Sequence, residues 1–446
     1  MARNRKLMVF AHLDEAWAPC GQLSMTEEGS ELLASSFAYG TRYVARSNAI
    51  EVDPVSLPLR HGESPQGNRL FPANALVAFG GIRDAAPDAW GRRVIEAKHR
   101  QPANSLPEST YLLEAGSERV GALDVRESIA SPPSPSVSHT HQLAYLLEAA
   151  ERIEQGLPVP NALEMIFDHG SGLGGARPKA TVRDAAGRLA MAKFPSAGDP
   201  FDIPAIESAS LLLARQVGLD VPDVCTSLVG NRRVMMIRRF DRYWLEQGQV
   251  PGPVTSLSLD PGPGKTERRR AFVSGLTMVG CDETESRQKS YSDLAQAIRR
   301  YCHPSVIRAD NEELYMRMVF NIFVTNDDDH LRNHGFLWDP RIKGWRLSPL
   351  YDVLPRPTHA QERQLHLGVG PQGRHASIDN AIAGCGVFTL NARRAGELVA
   401  KVWSEVREWK VHFERFGVSA QDIERISPAF RHLDDVTTRA TRLTLE

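Results

Sequence analysis

Apolar and polar positions change rhythm several times along the chain, and each change predicts a different kind of element. Through residue 127, short apolar runs alternate with turn signals, which predicts a small mixed or β-rich module. Within it, Arg83 to Arg93 predicts a loop that enters a helix at Pro87. Residues 128–141, with Ser131-Pro132-Pro133-Ser134-Pro135, predict a linker or exposed loop. Lys179 to Arg183 and Leu189 to Phe194 predict strands joined by a hairpin through Asp184-Ala185-Ala186-Gly187. Ile206, Ala209, Ser210, Leu213 and Val217 then keep helical spacing, with Asp202 as a cap, Pro204 in the first turn and Gly218 as the stop. A second hairpin turns at Gly230-Asn231 into Val234 to Ile237, and residues 250–268 predict a Pro/Gly-rich loop. Beyond residue 270 helical patterns dominate, at Tyr291 to Tyr301 and Leu390 to Phe413; Asn311 to Val324 is apolar around much of its circumference and predicts a buried helix. The expected class is α+β, divided at residues 1–127, 128–141, 142–245 and 246–446.

Composition narrows the picture by exclusion. The 446 residues carry a net charge of −1 and 42% hydrophobic content, so no global imbalance points to nucleic acid or a membrane surface. The basic run Arg268-Arg269-Arg270 reads as a solvated surface face. Cys20, Cys225, Cys281, Cys302 and Cys385 show no C-x-x-C spacing, so neither a disulfide framework nor a zinc site is expected, and a reducing cytoplasm fits. No run reaches the roughly 20 apolar residues of a membrane span. The short apolar run after the basic N-terminus, followed by Asp14 and Glu15, is too brief for a signal peptide.

Two constellations carry chemistry. In the first, a buried helix runs into Asn326-Asp327-Asp328-Asp329-His330-Leu331-Arg332-Asn333-His334. Adjacent carboxylates repel unless a cation or substrate sits among them. A hairpin follows (Gly335 to Trp338, a turn at Asp339-Pro340, then Trp345 to Leu347), and it delivers Asp352. An Asp, an Asn five residues on, a hairpin and a second Asp is the arrangement phosphoryl transfer needs: a base for the hydroxyl and oxygen ligands for magnesium. In the second, Ser171 to Lys179 clusters glycines that permit close approach to a phosphate, with Lys179 at the start of the next strand. Lys193 shares a strand face with Leu189 and Met191, a place where an ammonium wants an anion, and Glu207 on the following helix could orient it. Pro261-Gly262-Pro263-Gly264-Lys265-Thr266 ends like a P-loop, but Leu259 stands where the first glycine belongs, so it reads as an exposed loop. His330 and His334 have a metal-binding separation but lack an evident third ligand.

These motifs resemble the HipA family of bacterial serine/threonine kinase toxins from type II toxin–antitoxin systems. The resemblance runs from Asp88-Ala89-Trp90-Gly91-Arg92-Arg93 through the glycine loop, Ala192-Lys193-Phe194-Pro195, Glu207 with Leu212 to Arg215, Arg239-Phe240-Asp241-Arg242, Asp328-x-His330-x-x-Asn333, and Trp345 to Asp352. It implies a two-lobed, protein-kinase-like fold with a β-rich N-terminal subdomain and a mostly helical C-terminal lobe. It implies Asp328 as catalytic base with His330 supporting the loop, Asn333 and Asp352 as magnesium ligands, and Lys193 on the α/β-phosphates of ATP. Gly174, Gly175, Ala176, Arg177 and Lys179 would cover the nucleotide, Arg238, Arg239 and Phe240 would form the hinge beside adenine, and Glu207, His330, Arg332, Asn333 and Tyr351 would complete the ATP site. Two departures stand out: Asp329 occupies a position often held by a small residue, and the serine that some members autophosphorylate aligns with Gly172, with Ser171 one residue early. The resemblance further implies a helix-turn-helix antitoxin of the HipB type as partner, DNA contact only through that partner, and protein substrates that in some members are aminoacyl-tRNA synthetases. Two readings compete: a kinase-fold binding protein without transfer, which intact Lys193, Asp328, Asn333 and Asp352 argue against, and a metal-dependent hydrolase, which leaves Lys193 and the glycine loop unexplained.

Overall fold

The computed structural model describes residues 2–59, 69–134, 142–170, 172 and 175–445. Ser171, Leu173, Gly174 and the second half of the expected linker lie outside the described residues. The chain forms two compact units: Met1–Ala197 with Leu228–Val273 and Leu337–Lys343, and Gly198–Ser227 with Ser274–Phe336 and Gly344–Glu446.

In the first unit, β1 (Arg3–Leu13), β2 (Ala16–Glu28), β3 (Glu31–Tyr39) and β4 (Leu123–Arg126) form an antiparallel sheet in the order β3-β2-β1-β4. Leu7, Val9, Leu23, Phe37 and Val125 sit in one core with Tyr43, Phe79 and Leu112, as period-two alternation requires. The helix expected at Pro87 begins at Ala89, where the Asp88 side chain accepts from the Ala89 amide, and runs to His99. Arg83 and Asp84, expected in a loop, end a separate short helix, Gly80–Asp84.

A second antiparallel sheet of this unit contains β5 (Lys179–Arg183), β6 (Leu189–Lys193) and β8 (Arg232–Arg238); Gly230, at φ +61°, turns β7 (Val224–Val229) into β8. Ala180, Val182, Ala190, Ala192 and Val234 pack with Trp90, Val94 and Leu146 of the helix Leu143–Glu154. The opposite face of β5 and β6 therefore carries Lys179, Thr181, Leu189, Met191 and Lys193.

Two expectations fail here for one reason. Residues 265–268, read as the end of a loop, belong to β10 (Lys265–Arg269), paired antiparallel with β9 (Arg242–Glu246). Arg268, read as solvated, is buried: it donates to the Gln249 carbonyl (2.6 Å) and pairs with Glu15 (2.7 Å). Arg269 stacks over Trp17 and pairs with Glu118, and Arg270 lies over Tyr243. Glu118 also meets Arg183 and Arg242, while the buried Asp241 accepts from Arg239 and Arg242 and from the Gly121 amide (2.7 Å). Carboxylates far off in sequence, Glu15 and Glu118, hold Arg268 and Arg269 of β10 in the interior.

In the second unit, the helix Ile203–Val217 has the expected ends: Asp202 accepts from Ala205, Pro204 lies in the first turn, and Gly218 closes it at φ +92°. Tyr291–Tyr301 starts in a capping box of Ser290 and Asp293. Ile307–Val324 is buried over most of its surface, as its all-round apolarity predicts. The single helix expected over Leu390 to Phe413 is two, Ala392–Val406 and Trp409–Arg415. The break lets Trp409 stack on Phe430, with ring centroids 3.8 Å apart.

Candidate active site

The predicted site residues divide between the two units. Gly175, Ala176, Arg177, Lys179, Lys193, Arg238, Arg239 and Phe240 belong to the first; Glu207, Asp328, His330, Arg332, Asn333, Tyr351 and Asp352 belong to the second.

In the first unit, the β5–β6 register sets Lys179 directly opposite Lys193. Directly opposed residues of an antiparallel pair share a face, and like charges there are destabilising. Both lysines are nearly buried, at 5% and 9% exposure, on one face of the sheet. Gly175 lies beside Lys179 at φ +83°, and a Cβ there would fall 2.4 Å from the Lys179 Nζ. Only glycine meets both conditions without displacing that ammonium.

Gly175 is also held from behind. Its amide donates to the Asp88 carboxylate (3.1 Å), and its carbonyl accepts from the Trp90 amide (2.9 Å). The Trp90 indole donates to the Lys179 carbonyl (2.8 Å), and His169 Nδ1 lies 2.6 Å from the Thr181 carbonyl. The segment Asp88 to Trp90, which sequence reasoning matched but gave no role, thus clasps the glycine turn. Ala176 is exposed and Arg177 half-buried. Arg238 pairs with Asp260 (3.2 Å). The Arg239 guanidinium is spent on Asp241 and the carbonyls of Glu118 and Arg119, so any contact of Arg239 with a ligand falls to its backbone. Phe240 is half-buried just beyond β8.

In the second unit, Glu207 is buried on the helix Ile203–Val217. The helix Ile307–Val324 ends at Thr325, a β-branched residue at φ +50°. That backbone is costly for threonine and persists only where surroundings impose it. Here Arg363 donates to Thr325 Oγ1, which itself donates to the Ala429 carbonyl. The three aspartates then separate. Asp328 is half-exposed and bridges to Arg356 (2.7 Å); Asp327 reaches the same guanidinium at 3.3 Å, and burial pushes its carboxyl up despite that neighbour. Asp329 turns inward to Asn321 and His334.

The loop closes on itself, because Asn333 Nδ2 donates to the Asp328 carbonyl (3.1 Å) and the Asn333 amide to His330 (2.8 Å). His330 meets His366 edge to face at 5.7 Å, and burial together with that neighbour pushes His366 down to about 4. The Arg332 side chain pairs with Glu283. Tyr351 donates to the Arg332 carbonyl (2.7 Å), and the Arg356 amide donates to Thr325 (3.0 Å). Segment 351–356 is therefore tied back onto 325–333 at both ends, with Asp352 between the ties at φ +59°. Aspartate tolerates that conformation better than most residues. Arg356 carried no signal in the sequence, since its role depends on this return of the chain. His334, whose Nε2 is spent on Asp329, is not presented as half of a metal pair, and no group of three or more His, Cys, Asp or Glu among the described residues could hold a metal ion. Asn333 Oδ1 and the Asp352 carboxylate are nonetheless hard oxygen donors of the kind that suit magnesium, which takes few protein ligands and fills its shell from phosphates and water.

Comparison with known proteins places this geometry in context. Residues 171–410 match the family profile described as HipA-like C-terminal domain. The Y4mE protein of Sinorhizobium fredii, named a kinase only by inference, is 26% identical over 344 residues, covering 71% of each chain. A Haemophilus influenzae protein named in the same way is 26% identical over 153 residues, covering 33% of this chain and 40% of its own. A chain from the complex of Shewanella oneidensis MR-1 HipA, HipB and operator DNA superposes with a TM-score of 0.61 at 13% identity, over 98% of this chain and 95% of its own. At that identity the likeness shows the fold. Among the described residues, no helix is long and apolar enough to cross a membrane.

Proposed function

Because the chain belongs to the HipA-like C-terminal domain family, we propose that it is an ATP- and magnesium-dependent kinase that phosphorylates a serine or threonine hydroxyl of a protein. The observation that carries this reading is the opposition of Lys179 and Lys193 beside the positive-φ Gly175. Two nearly buried ammonium groups on one strand face suit a polyanion such as a triphosphate, and each is worth more there than in water. Lys193 holds the α- and β-phosphates, while Lys179 and the Gly175 turn cover them.

The Asp328–Asn333 loop supports the transfer half of the reading. Asp328 accepts the proton of the attacking hydroxyl as the oxygen bonds to the γ-phosphorus, and the bond to the ADP oxygen breaks. The substrate hydroxyl reaches Asp328 in competition with Arg356. Asn333 Oδ1, left as acceptor once its Nδ2 is spent on Asp328, and the Asp352 carboxylate would hold magnesium. When bound, that ion neutralises charge developing between the β- and γ-phosphates. Tyr351 and Arg332 position Asp352 against the loop through the Tyr351 hydroxyl.

Membership in this family also supports a toxin role, neutralised by a helix-turn-helix antitoxin of the HipB type through which any DNA contact runs. The test of the catalytic reading is transfer from γ-labelled ATP with magnesium to the protein itself or a bacterial lysate, by wild type and Asp328→Ala. Label with wild type only is expected, while both proteins bind ATP. No label from wild type, or equal loss of ATP binding in the variant, would remove Asp328 from the role of base.

A further inference from the structure

We propose that Asp329 is the positioning residue of the Asp328–Asn333 loop, an internal carboxylate that holds the base and the Asn333 ligand in working geometry. The inference rests on the kinase reading and deepens it. Asp329 is 2% exposed. Its Oδ2 alone accepts from Asn321 Nδ2 (2.7 Å), from His334 Nε2 (3.1 Å) and from the Tyr291 hydroxyl. Asn321 Nδ2 also lies 3.1 Å from that hydroxyl. Asn321 Oδ1 accepts from Asn326 Nδ2 (3.1 Å), and the Asn321 carbonyl from the Asn326 amide (3.1 Å).

The loop is thereby pinned at both ends to one centre. Asn326, before the aspartates, is tied to it through Asn321, and His334, after Asn333, is tied to it directly. Asp328, His330 and Asn333 lie between the two pins. Tyr291 opens the helix Tyr291–Tyr301 and Asn321 lies in the last turn of Ile307–Val324, so two helices meet at the same oxygen. The far pin is reinforced from a third side, where the Gly275 amide donates to the His334 carbonyl (2.6 Å) and a Cβ on Gly275 would lie 2.7 Å from the Leu331 carbonyl.

The chemistry of the centre explains why a carboxylate stands where a small residue would fit. Three donors converge on one oxygen, and a carboxylate meets all three while adding no donor of its own. An alanine would leave the Tyr291 hydroxyl and His334 Nε2 without their acceptor and Asn321 Nδ2 with only the Tyr291 oxygen, whereas an asparagine with its oxygen in that place keeps the shape, loses the charge and adds a buried amide donor. The lysines that the kinase reading assigns to the phosphates lie in the other unit, so loss of the anchor bears on kcat more than on KM for ATP. Misplacement of a reacting group by about 1 Å costs on the order of a hundredfold in rate.

The experiment measures kcat per folded molecule and KM for ATP in Asp329→Ala, Asp329→Asn and Tyr291→Phe, with hydrogen exchange followed in residues 326–334. The expected result is a fall in kcat of about a hundredfold for alanine, with KM for ATP within about threefold of wild type. Asparagine should recover all but about tenfold, and the milder Tyr291→Phe, which spares the fold if alanine does not, should lose about threefold to tenfold. Exchange in 326–334 should be faster in all three. A folded Asp329→Ala with unchanged kcat per folded molecule would overturn the proposal, since a role in stability alone lowers only the amount of folded protein. If wild type transfers no phosphate, the kinase reading fails by itself; the anchor is then judged by exchange, and unchanged protection in Asp329→Asn overturns it.

Discussion

Substitution of Glu118 by glutamine tests the buried ionic junction that ties the segment before β4 to β5, β9 and β10 of the first unit. Glu118 is 9% exposed and sits among Arg183, Arg242 and Arg269. Burial alone would raise its carboxyl, but the attraction of Arg269, Arg242, Arg183 and Arg239 outweighs it and holds the group down at about 2, against an ordinary 4.5. A carboxyl depressed in the folded state stabilises above its unfolded value, and that contribution drains away as pH falls from about 4.5 towards 2. At about 1.4 kcal/mol for each tenfold change in proton affinity, the interval amounts to about 3 kcal/mol. Glu118→Gln mimics the protonated form at every pH. Denaturant unfolding at pH 7 should therefore show the variant about 3 kcal/mol less stable, with the gap narrowing to near zero by about pH 2. A gap under about 1 kcal/mol at pH 7, or parallel stability curves for the two proteins across the acid range, would refute the linkage.

Three further outcomes bear on the nucleotide side. Lys193→Ala should weaken ATP binding by about tenfold to a hundredfold, as expected for loss of a charged hydrogen bond, measured by titration calorimetry; unchanged affinity would remove it from the phosphate site. Gly175→Ala forces a Cβ to within 2.4 Å of the Lys179 ammonium at φ +83°, at a backbone cost of about 1–2 kcal/mol. KM for ATP should rise severalfold, and an unchanged KM would show that the lysine swings aside without consequence. Asp88→Asn keeps a competent helix cap but provides one acceptor oxygen where the aspartate uses two, on Ala89 and Gly175. Faster hydrogen exchange at Gly175 with little change in melting temperature is expected, whereas unaltered exchange would mean that Trp90 alone holds the turn.

Much of this protein is legible in local sequence. The helix Ile203–Val217 is bounded by Asp202, Pro204 and Gly218, each acting on its own backbone, so spacing suffices to find its ends. The β5–β6 hairpin, the buried helix ending at Val324 and the order of Lys193, Asp328, Asn333 and Asp352 are legible for the same reason: the interactions that define them span a few residues, or repeat with a period. The charged residues behave otherwise. Nothing local distinguishes Arg268, buried against Glu15, from an exposed arginine, and nothing in three consecutive aspartates tells which one turns inward. The opposition of Lys179 and Lys193 needs the strand register, and the hold of Asp88 on Gly175 joins positions 87 residues apart. A charge is placed inside only when partners from elsewhere in the chain offset its desolvation. Sequence alone therefore determines which residues can carry the chemistry, and only the tertiary structure decides which charges face a substrate and which are spent holding the others in place.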